Sequence, residues 1–214
     1  MMKTSVTEKT RNYPELLRSI WRDLNSDHPD DVSNLLNDPR WIDLGFQSST
    51  PFTDFRASGM LGLASLAHFC HQYTHHASAI AKRMQSTSIQ DGWYSFATVY
   101  INIVFNVAML VLEGKARYWF YKYGSGKNTF HELAERGMIE FDKQWQRDKC
   151  TVMQFESFMK NTFMPWFEHA LTERSLRLLE EDDIEQGKSA LISDATLEKR
   201  HPHLRQRPSH ISHH

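Results

Sequence analysis

Cysteine is scarce in this chain: Cys70 and Cys150 are the only two in 214 residues. Both lie in helix-like surroundings, which argues against a disulfide framework and for a reducing compartment. A charge excess is missing as well. The formal net charge is −1, so no global attraction to nucleic acid or to a membrane surface follows, and at most a peripheral membrane association is expected. The opening residues, MMKTSVTEKTRNYPELL, lack the apolar run of a secretory signal and the N-terminal glycine pattern of myristoylation. These absences predict a cytoplasmic protein. No apolar–polar alternation is long enough for a strand. A phosphate-binding loop is not present either: Gly124-Ser125-Gly126-Lys127 has neither the upstream glycine nor the preceding strand. No Ser/His/Asp or Cys/His arrangement can be assembled.

What the chain does hold is helical periodicity and aromatic residues. Apolar residues make up 40% of it, enough for a core, and the length suits one domain with tails. Residues 1–11 are polar and are expected to be flexible. Pro14 fits a first helical turn, and Leu16, Leu17, Ile20, Trp21 and Leu24 then form one apolar stripe. A short helix is expected between Asp30 and Pro39, since that proline keeps Asp38 from helical angles. Helices follow over Met60–Ala81, where Ser58 or Gly59 is a candidate cap, and over Trp93–Leu112. The latter is the most apolar stretch; Asn102 and Asn106 share one face, which favours a buried central helix bonded to its neighbours over a membrane span. After Gly114 comes an aromatic segment to Tyr123, then a Gly124–Gly126 turn and a helix from Thr129 to about Trp145. The last helical stretch, Met153–Leu179, is expected to kink or break at Pro165. Residues 181–214 are polar and His-rich and read as a disordered tail. The fold class is all-α, with one domain over 12–180.

The chain is organised around Trp41–Phe69, WIDLGFQSSTPFTDFRASGMLGLASLAHF. One arginine, Arg56, stands just ahead of a helix, on a segment stiffened by Pro51 and flanked by Phe52 and Phe55. A guanidinium keeps its charge at cellular pH and offers planar paired donors suited to carboxylates and phosphates.

Trp41, Gly45-Phe46-Gln47, Pro51, Thr53-Asp54-Phe55-Arg56, Gly59 and Leu61-Gly62-Leu63 resemble the ELMO domain, in the branch of ELMO-domain-containing proteins built of little else. Later landmarks agree: Ile101-Asn102-Ile103, Glu113-Gly114, Phe120-Tyr121, Phe130-His131-Glu132-Leu133 and Glu140–Trp145. The resemblance covers about Pro14–Leu171. Two positions depart from the pattern: Thr50 stands where an acidic residue commonly precedes the proline, and Ala57 where glycine commonly follows the arginine. The resemblance implies a compact helical ELMO domain and a GTPase-activating protein for small GTPases of the Arf or Arf-like family. Arg56 would be an arginine finger, with action in membrane traffic, at the cytoskeleton or at a cilium. Trp41, Phe46 and Phe55 would hold the loop down, Gln47 would contact the GTPase or orient the segment, and Asp54 would pre-orient Arg56 or cap a helix; taken by itself, Asp54 reads as a turn or capping residue. Gly45, Pro51 and Gly59 complete the support. Such an activator needs no cofactor, metal or nucleotide site of its own, and no nucleic-acid partner is implied.

Two other readings compete. ELMO domains of engulfment scaffolds lack the arginine, so this chain could be a non-catalytic module that holds a small GTPase or a scaffold partner. Short of any binding role, Arg56 could simply pair with Asp54 or another carboxylate and tie the loop down. The second alternative is a metal site on the helix bearing His68, Cys70, His71, His75 and His76. Spacings of three and four put two imidazoles on one face, but no glutamate sits between them and no third ligand is apparent.

Overall fold

The structure, a computed structural model, describes residues 10, 12–25 and 35–181. Apart from Thr10, the expected flexible start lies outside the described residues, as do positions 182–214 of the expected tail. The chain divides into units 1–176 and 177–214, and the helices and the candidate site all lie in the first.

Eight α-helices can be traced among the described residues, with no strand: α1 (Tyr13–Leu24), α2 (Gly59–Gln72), α3 (Thr74–Ser86), α4 (Phe96–Leu112), α5 (Arg117–Tyr123), α6 (Lys127–Arg147), α7 (Phe155–Phe158) and α8 (Met164–Thr172). The α1 stripe packs as its spacing requires: Leu17, Ile20, Trp21 and Leu24 are buried and the helix lies along α2. At the centre is α4, touching α2 and α6. Its Val99, Tyr100, Ile103, Val104 and Val107 are at most 3% exposed, so most of its apolar surface is satisfied inside the protein. Gly137 lets α6 come close to α4, since a Cβ there would stand 3.0 Å from Ile103 Cγ2. Below them Phe141, Trp145, Phe158 and Phe163 interlock, with ring centroids 5.3–5.6 Å apart, mostly edge to face.

Several expectations change. The helix expected over Met60–Ala81 is two helices, broken at Tyr73 (φ −121°, ψ 47°). The Thr74 hydroxyl donates to the carbonyls of Cys70 and His71, at 2.7 and 2.9 Å, and so satisfies the end of α2. Neither candidate cap closes the start of α2 with a side chain. Ser58 makes no capping bond, and its buried Oγ has no partner among the described residues. Asn102 and Asn106 do not reach neighbouring helices. Their amides donate to the carbonyls of Thr98 and Asn102 on their own helix, each at 2.8 Å. Of the expected helix between Asp30 and Pro39, residues 30–34 lie outside the described set and 35–38 are turn and extended. A short 3₁₀ helix, Pro39–Trp41, begins only afterwards, with Asp38 as its cap. The last helical stretch ends at Thr172, not Leu179. Pro165 sits in the first turn of α8, and the strain is taken up just ahead as a π-helical segment, Met159–Phe163.

Candidate functional site

Residues 41–59 fold as a chain of short turns pinned to the ends of longer elements. The first pin is Gly45. Its φ is +82°, and a Cβ there would fall 2.5 Å from the backbone nitrogen of Phe96, so only glycine lets this turn sit on the start of α4. The Gly45 carbonyl then accepts from the Thr98 N–H (3.1 Å), the Thr98 hydroxyl (3.2 Å) and the Ser95 hydroxyl. These bonds occupy donors that a helix start leaves open.

The second pin is aromatic. Trp21, Trp41, Phe46 and Phe55 run in an edge-to-face ladder with centroid separations of 5.2, 5.2 and 6.1 Å. All four are buried, and the Trp41 indole N–H donates to the Leu35 carbonyl at 2.8 Å. Arg40 lies over the Trp21 ring and pairs with Asp38, whose carboxyl it holds below its ordinary range.

The third pin is Asp54. Its Oδ2 accepts the backbone N–H of Gln47 at 2.8 Å, and its Oδ1 accepts from the Thr53 hydroxyl. Asp54 therefore closes the turn between Gly45 and the 3₁₀ helix Pro51–Phe55; it neither caps α2 nor forms an ion pair with Arg56. Burial raises its carboxyl above the ordinary range despite these bonds.

Arg56 follows immediately. Its backbone is in ordinary right-handed helical geometry (φ −58°, ψ −42°). Its residue is exposed, and its guanidinium has no hydrogen bond or ion pair among the described residues. Its charge nonetheless reaches Asp54 and offsets part of the effect of burial on that carboxyl. Gln47 is exposed too; Pro51, Phe55 and Gly59 are buried, and Gly59 (φ +57°) turns the chain into α2. A separate cleft of about 680 Å³ is lined by Trp21, Arg40, Ile42, Ile89 and Trp93 among others, and neither Arg56 nor Gln47 borders it.

Among the described residues no group of three or more His, Cys, Asp or Glu could hold a metal ion. His68 instead bonds Glu135 of α6 through Nδ1, at 2.6 Å, and stacks on His131 with centroids 4.7 Å apart. His131 Nδ1 meets the Ser65 hydroxyl at 2.8 Å, and His71 faces Asp23 at 3.4 Å. Burial lifts Glu135 to about 7 and lowers His131 to about 4, while the Glu135 carboxylate raises His68. This buried polar cluster joins partners up to 67 residues apart and had no signature in the sequence beyond histidines on an apolar helix.

The described residues thus form an all-α body with Arg56 exposed on a pinned turn. The chain belongs to the ELMO/CED-12 family, which it matches over residues 1–159. It is 35% identical over 136 residues to ELMO domain-containing protein B of Dictyostelium discoideum, covering 63% of this chain and 45% of that protein. It is 31% identical over 150 residues to the Homo sapiens ELMO domain-containing protein 2 (68% and 49%), and 27% over 177 residues to the Bos taurus ELMO domain-containing protein 1 (72% and 52%). The chain thus spans about half the length of the curated relatives it matches. No solved structure gives a significant match.

Proposed function

We propose that this chain activates a small GTPase of the Arf or Arf-like family by supplying Arg56 in trans. Slow GTP hydrolysis reflects charge that builds on the transferring phosphoryl group, and an inserted arginine stabilises that charge, worth roughly 10³–10⁵ in rate. The activator then contributes position and charge, while the nucleotide and its metal ion belong to the partner. The observation that carries the reading is the exposed guanidinium of Arg56, without a hydrogen bond or ion pair among the described residues, on a turn fixed by Gly45, Asp54 and the aromatic ladder. A fixed turn matters because each rotor frozen on docking opposes binding. Gln47, exposed on the same pinned turn, is the second side chain offered to the partner.

The test is single-turnover GTP hydrolysis by a panel of Arf-family proteins with the wild type, Arg56→Lys and Arg56→Ala. Lysine keeps the charge but not the planar fork. The wild type should accelerate at least one GTPase, and both variants should lose at least 10² of that acceleration, within the range ascribed to such arginines. Equal acceleration by all three removes the finger. Binding without acceleration assigns the same surface to docking alone.

A further inference from the structure

Seven large apolar side chains are exposed among the described residues, and four of them fall within one stretch of thirteen positions: Met109 (38%), Leu112 (74%), Tyr118 (37%) and Tyr121 (87%). Met109 and Leu112 close the outer face of α4. Tyr118 and Tyr121 form the outer face of α5, with centroids 6.4 Å apart. Cations lie along the same stretch of chain and at Tyr118. Arg117, Lys122 and Lys127 are exposed, Arg174 lies over the Tyr118 ring at 4.4 Å, and Lys122 over Tyr123 at 4.4 Å. Between residues 109 and 127 the only acidic side chain is Glu113, and Lys115 pairs with it and with Glu168. Positions 109–127 therefore carry a local positive excess beside four of the seven large apolar side chains exposed among the described residues.

We propose that this face, the end of α4 together with α5, docks on an anionic membrane surface. Tyrosines beside a leucine and accompanied by lysine and arginine have the composition of an interfacial anchor: rings rest at headgroup depth and the cations meet lipid phosphates and carboxylates. Lys122 and Lys127 favour lipid phosphates over a protein contact, from whose core lysine is depleted, whereas the tyrosines, Met109 and Arg117 suit either. The placement also suits the Arg56 turn. Gly45 sits at the start of α4 and this face at its end, roughly 25 Å away along a 17-residue helix. The membrane docking does not depend on GTPase activation, and each can fail without the other.

The experiment is vesicle co-sedimentation of the full chain, using phosphatidylcholine alone and phosphatidylcholine mixed with phosphatidylserine. The mixed vesicles should retain the protein, and high salt should release it. Arg117→Gln with Lys122→Gln should lower partitioning about 25-fold, fivefold for each charge removed. Tyr121→Ser should lower it severalfold, whereas Met153→Ser, at an exposed residue elsewhere, should leave it unchanged. All these positions are exposed, so the unfolding temperature should hold. Equal retention by both vesicle types, or retention that ignores the Arg117, Lys122 and Tyr121 variants, overturns the proposal.

Discussion

Gly45, Asp54 and Trp41 each hold the Arg56 turn by a different physical means, so each can be broken separately. Gly45→Ala introduces a Cβ 2.5 Å from the Phe96 nitrogen at a φ of +82°, and should cost about 2–4 kcal/mol in chemical denaturation. Asp54→Ala frees the Gln47 N–H at an exposed site and should cost only about 1 kcal/mol. If Arg56 acts as proposed, the larger effect should be on GTPase acceleration, because the arginine loses its rigid mount while the fold survives. Trp41→Phe keeps much of the ring packing but orphans the buried Leu35 carbonyl, a loss of about 1–3 kcal/mol readable by thermal melts. Aromatic burial at Trp41, Phe46 and Phe55 was legible in the sequence, because large rings beside a proline turn have few other fates. Asp54 was legible in part: its short polar side chain marked a turn or a cap, and the Gln47 N–H shows that it closes a turn.

At the scale of helices, the buried acid and histidines between α2 and α6 make stability depend on pH in two directions. Glu135, fully buried, is raised from 4.5 to about 7, so its contribution is whole below 4.5 and is lost as pH rises through 7. His68, raised by the same carboxylate, acts in the same sense. Glu135→Gln should therefore gain in unfolding temperature relative to wild type as pH climbs from about 4.5 to above 7. His131, lowered from 6.5 to about 4 by burial and by His68 and Lys127, works oppositely: its contribution is present above 6.5 and lost as pH falls towards 4. His131→Asn should flatten that acid limb, worth on the order of 2–3 kcal/mol. Glu132, Tyr100 and Cys70 also face this carboxyl. Helix breaks followed the same divide between what is local and what is distant. Gly114 and Gly124, both at positive φ, and Pro165 mark interruptions that their own chemistry announces. The break at Tyr73 has no glycine or proline, and depends on the Thr74 hydroxyl competing for two carbonyls of the preceding turn. Asn102 and Asn106 misled for a related reason: side chains assigned to neighbours bond their own helix.

For the molecule as a whole, near-neutrality has a practical outcome. With a pI near 6.9 and a net charge of −1, the chain should be least soluble close to neutral pH at low salt, a minimum that turbidity across pH would locate. The all-α class and the family were legible because helical periods and motif spacing are properties of the chain itself; the pairing of α2 with α6 was not, because it joins positions 67 apart. Enclosure of α4 carries one more consequence. A helix with neighbours on most sides and tethered at its start by Gly45 has no cheap local opening, so its amide protons can trade with deuterium only when the entire domain comes apart. The middle of α4 should keep its label longest, and its exchange rate would measure the global unfolding free energy directly.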